Sequence, residues 1–267
     1  MQDKEPVPVR EFLAQDKLKR ADIVLCRGKK SLFSRLIRWA TRSHFSHAAI
    51  VFVIPSQDKG FDNTFMLESV TGGVDITDIR HYAIDEWRGY DLAIKRFEAP
   101  WFATGPEAED IRRLVRGCML NFVKADYDYL NVWRIAVEVV RRFVFGVRVR
   151  FGGLEPTLRK AYAKGQLAPG SFICSGFVQY GFYDAVRRLV DADRLTDAEL
   201  AEVVFNPKAS ARPDTPTLLS TTPEDLAQAE QLSWKYVIID QHVYEVTSKT
   251  EAYALIARKG IRHQAAG

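Results

Sequence analysis

The run at residues 48–54 constrains the fold most strongly, because it contains seven consecutive apolar residues without a charge. Its length and its β-branched residues predict a buried strand. Apolar segments at 21–26, 65–70 and 90–97 predict further strands, and together they indicate an antiparallel series. We therefore expect an α+β chain organised around an antiparallel sheet.

Two polar residues occupy unusual positions in these predicted strands. His47 directly precedes the run at 48–54, so it lies at a strand entrance. Glu68 lies within the otherwise apolar segment 65–70. A charged side chain in a buried strand is costly unless it is paired. We therefore expect Glu68 to have a partner in the fold.

A second pattern places Cys174 in the first turn of an amphipathic helix. The apolar residues that follow it recur at helical spacing and are Phe177, Val178, Gly181, Phe182, Ala185, Val186 and Leu189. A helix N-terminus combines free N–H groups with the positive end of the helix dipole, which favours a thiolate. The alternative is a buried cysteine that packs as a small apolar residue.

Cysteine, imidazole and a carboxylate that orients the imidazole are the groups that thiol acyl transfer requires. Cys174, His47 and Glu68 supply these three groups. Their proximity does not follow from sequence spacing, and four other histidines compete with His47. These are His44, His81, His242 and His263.

Five segments together resemble the NlpC-type papain-like superfamily, in its circularly permuted YiiX/YaeF-like branch. They are Asp-Ile-Val-Leu at 22–25, Ser-His-Ala-Ala-Ile-Val at 46–51, Leu-Glu-Ser at 67–69, Tyr-Asp-Tyr at 127–129 and Phe-Ile-Cys-Ser-Gly-Phe-Val at 172–178. The histidine motif precedes the cysteine motif here, which is the order of the permuted branch. The lecithin:retinol acyltransferase-like proteins share this order of motifs.

The resemblance implies a papain-like α+β fold in which the nucleophile helix packs on the antiparallel sheet. It implies that Cys174 is the nucleophile, His47 the general base and acid, and Glu68 the third, orienting residue. The chain departs from the unpermuted pattern at Ile173, where those enzymes commonly have Asp, so the contacts to a substrate amine stay open. No metal or organic cofactor is implied.

The reaction expected from this resemblance is amide hydrolysis through an acyl-enzyme, on a cell-wall-like peptide or a small peptide or amino-acid conjugate. One alternative is a thioesterase or lipid acyltransferase, for which the substrate is an acyl lipid. Another is an inactive binding module that keeps the fold. We expect no nucleic-acid partner, and the oligomeric state stays open.

The substrate contacts are predicted mainly from the Tyr127-Asp128-Tyr129 segment. An acid between two aromatic hydroxyls at a helix end suits a cationic or amine-bearing group, whereas the alternative is a surface cap on the preceding helix. Ser46 and Ser175, which adjoin His47 and Cys174, complete the predicted substrate contacts.

The predicted organisation is one permuted papain-like domain over residues 1–267, with its core at about 21–190. Residues 131–165 are predicted to be a helical insertion, and 206–267 a C-terminal extension that opens with a loop at 206–223. The apolar and arginine-rich part at 131–151 is a packed insertion helix, a lid over a site or a surface that contacts a membrane peripherally.

Charge and cysteine content indicate which partners, which kinds of site and which compartment to expect. Ten Lys or Arg lie between residues 10 and 42, which indicates a solvated basic face or an anionic partner. Three widely spaced cysteines without a CxxC motif indicate neither a disulfide framework nor a zinc site. No apolar leader or membrane span is seen, so we expect a cytoplasmic protein.

Two helices are predicted between these motifs. Residues 31–42 form one, with five residues inward that are Leu32, Leu36, Ile37, Trp39 and Ala40. A capping box that begins at Thr104 is predicted to start the other, whose apolar stripe includes Cys118.

Overall fold

The computed structural model describes residues 5–70, 73–85, 89–121 and 174–262. In this part of the chain, eight strands form one sheet. They are β1 (Val7–Pro8), β2 (Ile23–Gly28), β3 (His47–Val53), β4 (Phe65–Val70), β5 (Gly73–Asp78), β6 (Tyr90–Phe97), β7 (Leu232–Ile239) and β8 (His242–Glu245). Their order is β1-β8-β7-β6-β2-β3-β4-β5, and every neighbouring pair is antiparallel. The α+β prediction with an antiparallel sheet is confirmed.

Helices connect and cover these strands. They are α1 (Val9–Ala14), α2 (Leu32–Thr41), α3 (Arg80–Ala83), α4 (Pro100–Ala103), α5 (Pro106–Leu120), α6 (Cys174–Asp191), α7 (Asp197–Glu202), α8 (Thr215–Leu219), α9 (Pro223–Gln228) and α10 (Lys249–Arg262). None of these described helices has both the length and the apolar character needed to cross a bilayer.

The sheet is buried on both faces at its centre, which explains the unbroken apolar runs of the central strands. In β2, Ile23 and Leu25 face the larger core, which includes α5 and α6. Val24 and Cys26 face the opposite way, into a smaller core with α1 and α3. The sheet is therefore held by packing on both faces, and Cys174, the first residue of α6, lies against it.

The C-terminal part of the chain contributes directly to this sheet, because β7 pairs with β6. Buried Lys95 of β6 ties the same region together. Its Nζ atom donates hydrogen bonds to the carbonyls of Leu226, Ala227 and Ala229 at 3.0, 2.7 and 2.9 Å. Lysine thus satisfies carbonyls at the end of α9 that have no partner within the helix.

Three local predictions differ from the structure. Leu32 and Trp39 of α2 are 78% and 48% exposed rather than inward, Leu36 and Ile37 are half-buried, and Ser34 is buried. The helix α5 has Gly105 as its N-cap, at a φ of 92°, without a side-chain capping bond, so the predicted capping box at Thr104 is wrong. The predicted loop at 206–223 contains the short helix α8, which Asp214 caps.

Candidate active site

The register of β3 and β4 brings His47 and Glu68 together. Ala49 is the residue opposite Glu68. His47 lies two residues before Ala49, so it shares the face of Ala49 and is a diagonal neighbour of Glu68, within reach of a long side chain. The His47 Nε2 atom lies 2.5 Å from the Glu68 Oε2 atom. The carboxylate that needed a partner therefore has an imidazole.

The environment of Glu68 keeps its carboxylate ionised. Its side chain is 1% exposed, and the hydroxyl of Tyr82 in α3 donates to its Oε2 atom at 2.8 Å. Burial raises the pKa of Glu68, but the hydrogen bond and charge of His47 and the hydroxyls of Thr77 and Tyr82 outweigh it and leave the pKa below its ordinary value. Glu68 is thus a fixed anion beside the imidazole.

Cys174 is the first residue of α6, and its sulfur contacts His47. Burial raises the pKa of Cys174. The charge and hydrogen bond of His47, with the backbone N–H groups of Ala48 and Ser175 that donate to the sulfur, more than offset this and lower the pKa below that of an ordinary thiol. Because Glu68 occupies Nε2 of His47, the ring nitrogen available to the sulfur is Nδ1.

His47 responds in the opposite direction. Burial lowers the pKa of His47, but the charge and hydrogen bond of Cys174 and the hydrogen bond and charge of Glu68 raise it to about 10. The thiol is therefore the stronger acid of the pair. Near neutral pH the favoured state is a Cys174 thiolate beside a His47 imidazolium, with the Glu68 carboxylate behind it.

Contacts to the segment around α8 set the position of the first turn of α6. The Ser175 hydroxyl donates to the Thr221 carbonyl at 2.7 Å. The next residue is glycine, and a Cβ atom at Gly176 would lie 2.2 Å from the Leu219 carbonyl oxygen. A side chain at this position would therefore push the start of α6 away from α8.

Ser46 and Ser175 are both buried, and each hydroxyl donates to a backbone carbonyl. For Ser46 the acceptor is the Cys26 carbonyl, at 3.3 Å. Their predicted substrate contacts stay predictions. Residues 127–129 and the insertion at 131–165 lie outside the described residues, so the role of Tyr127, Asp128 and Tyr129 also stays a prediction.

Tyr82 and Thr77 complete the polar environment of Glu68, and sequence reasoning missed both. Neither lies in a motif or at a strand entrance, so no sequence signal distinguishes them from ordinary sheet and helix residues. The Tyr82 ring is parallel to the His47 ring within 9°, with centroids 6.2 Å apart. Tyr82 thus supports both members of the carboxylate–imidazole pair.

The other two cysteines lie in environments that keep them as thiols. Cys26 is directly opposite His47 in the β2–β3 pair. Burial, followed by the negative charges of Glu68 and Cys174, raises the pKa of Cys26 well above that of an ordinary thiol. Burial raises the pKa of Cys118 to about 11. Among the three, Cys174 is the one with a lowered pKa.

The competing histidines within the described residues lie elsewhere. The His44 ring stacks on Tyr253 at 4.2 Å, and the His242 ring contacts the Asp240 carbonyl. His81 is exposed. Within residues 5–70, 73–85, 89–121 and 174–262, no group of three or more His, Cys, Asp or Glu is arranged to hold a metal ion.

Comparison with known proteins adds little to this geometry. No protein-family model matches the chain, and none of the curated proteins matches it significantly. Among solved structures, the chain is similar to the metalloprotein YiiX from Escherichia coli O157:H7, with 15% sequence identity and a TM-score of 0.45 over 86% of this chain and 98% of that chain.

Proposed function

We propose that the chain is a cysteine hydrolase that cleaves amide bonds through an acyl-enzyme on Cys174. The observation that supports this most strongly is the contact of Cys174 with His47, which also lies 2.5 Å from the buried Glu68. A thiolate, an imidazolium and an orienting carboxylate are the groups required for acyl transfer to sulfur.

In the proposed reaction, the Cys174 thiolate attacks the substrate carbonyl carbon, and the carbonyl π electrons move to oxygen. The Cys174 N–H group, which begins α6 and has no acceptor within the helix, is the proposed donor to that oxyanion. When the carbonyl re-forms, the C–N bond breaks and the His47 imidazolium gives its proton to the leaving nitrogen. The products of this half-reaction are an amine and a thioester.

The second half-reaction returns the starting state. Neutral His47 takes a proton from a water molecule as that water attacks the thioester carbon. Collapse of the second tetrahedral intermediate breaks the C–S bond and releases a carboxylic acid. Cys174 leaves as a thiolate beside the imidazolium, so no proton or electron is unaccounted for. Glu68 stays ionised throughout and holds the ring in position.

The order of the three residues along the chain supports the permuted papain-like fold. His47 and Glu68 belong to β3 and β4, and Cys174 follows them at the start of α6. The proposal treats the chain as a single cytoplasmic domain of this kind, in which α6 is the nucleophile helix. Peptides or amino-acid conjugates are the proposed substrates, and the residues at 127–129 are their proposed contacts.

Two alternatives share this site. A thioesterase or lipid acyltransferase forms the same acyl-enzyme but releases a thiol or an alcohol. An inactive binding module forms no acyl-enzyme. Two probes, a peptide amide and an acyl thioester, distinguish these three functions. The reactions are quenched with acid, and the intact mass of the protein is measured. Peptide mapping then identifies the modified residue.

We expect the peptide amide to leave an acyl adduct on Cys174 and none in Cys174→Ala. The Cys118→Ala variant is the matched control, because Cys118 is a buried core residue that the proposed reaction does not use. It should be labelled like the wild type. An adduct from the thioester alone would favour a thioesterase or lipid acyltransferase. If neither probe forms an adduct, the result would favour an inactive binding module.

A further inference from the structure

The amphipathic helix α2 presents two large apolar side chains, Leu32 and Trp39, to solvent. Leu32, Leu36 and Trp39 are spaced i, i+4 and i+7, so they lie on one face of the helix. Leu32 is 78% exposed and Trp39 is 48% exposed, whereas Ser34 on the other side is buried. Large apolar side chains normally pack on the core, so the exposure of Leu32 and Trp39 requires an explanation.

This orientation is built into the contacts of the helix. Ser34 packs against Gly28 of β2, where a Cβ atom would lie 2.5 Å from the Ser34 hydroxyl. The Ser31 hydroxyl accepts from the Ser34 N–H group at the N-cap. At the other end, Arg42 adopts a left-handed conformation with a φ of 51° and ends the helix. The helix is capped at both ends, and Ser34 lies against β2.

Positive charge is concentrated in the segment that contains α2. From residue 23 to residue 57 the sequence has no Asp or Glu and six cationic residues, which are Arg27, Lys29, Lys30, Arg35, Arg38 and Arg42. Burial, followed by the nearby charges of Arg27 and Arg35, lowers the pKa of Arg38. Asp91 and Asp240 of neighbouring strands and turns pair with Lys29.

We propose that α2 is a docking surface for an anionic lipid bilayer. Leu32, Leu36 and Trp39 enter the boundary between head groups and acyl chains, while Arg35 and Arg38 contact the lipid phosphates. A convex helix with an apolar stripe, a tryptophan and flanking arginines has the composition of an interfacial helix. The charge favours an anionic bilayer over a neutral one.

This surface adjoins the candidate active site along the chain. Residues 42–46 connect the end of α2 to His47 at the start of β3. The inference does not rest on the proposed hydrolase activity, because it requires no chemistry at Cys174.

Sedimentation of the full chain with vesicles tests this proposal. The vesicles contain phosphatidylcholine alone or with about a third phosphatidylserine, at low and at near-molar salt. We expect binding to the anionic vesicles at low salt, and at least a tenfold weaker partition in high salt because exposed charges are screened. Absence of binding to anionic vesicles at low salt would overturn the proposal.

Variants assign the binding to α2. The Leu32→Ser/Trp39→Ser and Arg35→Gln/Arg38→Gln pairs should each reduce partition at least tenfold, whereas Phe61→Ser/Ile76→Ser should leave it unchanged. Phe61 and Ile76 are 48% and 42% exposed outside α2, so they match the exposure but not the location. Leu32→Glu alone serves as a further variant if Trp39→Ser impairs folding.

Two results would contradict the proposal. Full binding by the α2 variants would place the membrane contact elsewhere, for example in the segment at 131–151. The second result is a wild-type protein that does not bind vesicles but binds a protein partner that the α2 variants no longer bind. This result would identify the surface as a protein interface instead.

Discussion

Replacement of Gly176 by alanine should destabilise the protein through a single backbone contact. The new Cβ atom would lie 2.2 Å from the Leu219 carbonyl oxygen and 2.7 Å from its carbonyl carbon. Because ordinary contacts of this kind lie at about 3.4 Å or more, α6 and the end of α8 must separate by about 1 Å. Overpacking of this size costs about 1–3 kcal/mol of the free energy of unfolding.

Gly117 provides a matched control for this substitution. It also lies within a helix, but a Cβ atom there would meet nothing within 4 Å. Alanine at Gly117 should therefore stabilise by about 0.5–1 kcal/mol, since alanine restricts the unfolded backbone more than glycine does. The same chemical change is thus expected to have opposite effects at the two positions.

Guanidinium chloride unfolding of both variants measures these effects. The midpoint of Gly176→Ala should fall, and that of Gly117→Ala should rise. Displacement of the α6 start should also slow alkylation of Cys174 in Gly176→Ala, whereas Gly117→Ala should react like the wild type. Equal stability of the two variants would refute the close approach of α6 and α8.

Two further pairs of substitutions test buried polar groups, each with a milder change for comparison. Glu68→Gln should raise the pH midpoint of Cys174 alkylation by about one to two units, because the His47 imidazolium loses its carboxylate partner. A hydrogen bond to a charged group contributes about 1.5–3 kcal/mol, and one pKa unit corresponds to about 1.36 kcal/mol. Tyr82→Phe, which removes only a neutral donor to the carboxylate, should shift it by less than about one unit. Lys95→Met should lower the free energy of unfolding by about 2–4 kcal/mol, because three buried carbonyls lose their donor. Lys235→Met should lower it by at most about 1 kcal/mol, because Lys235 forms a partly exposed ion pair with Glu98.

The strands were predictable from sequence where packing fills both faces of the sheet. The apolar segment 65–70 matches β4, and the segment 90–97 matches β6. The need of Glu68 for a partner followed from the cost of a buried charge. The identity of that partner did not follow, because the β3–β4 register that aligns Ala49 with Glu68 is a long-range property.

The predicted orientation of α2 failed for a different reason. Helical periodicity identifies an apolar stripe, but it does not state which face of the helix meets the core. Here Gly28 admits Ser34, and this contact turns Leu32 and Trp39 outward. Tyr82 was missed for a related reason, since its hydroxyl meets Glu68 only after β5 and α3 fold back over the sheet.

The most direct test of the proposed catalytic pair is the pH dependence of Cys174 alkylation in the wild type and in His47→Ala. Iodoacetamide labelling followed by peptide mapping measures Cys174, with Cys26 and Cys118 as internal references in the same sample. In the wild type, Cys174 should react well below the midpoint of about 8.5 for a free thiol and faster than both references. In His47→Ala, the loss of the imidazolium should move the Cys174 midpoint up by more than about one unit. A wild-type midpoint at that of a free thiol, or identical profiles in the two proteins, would contradict the thiolate–imidazolium pair.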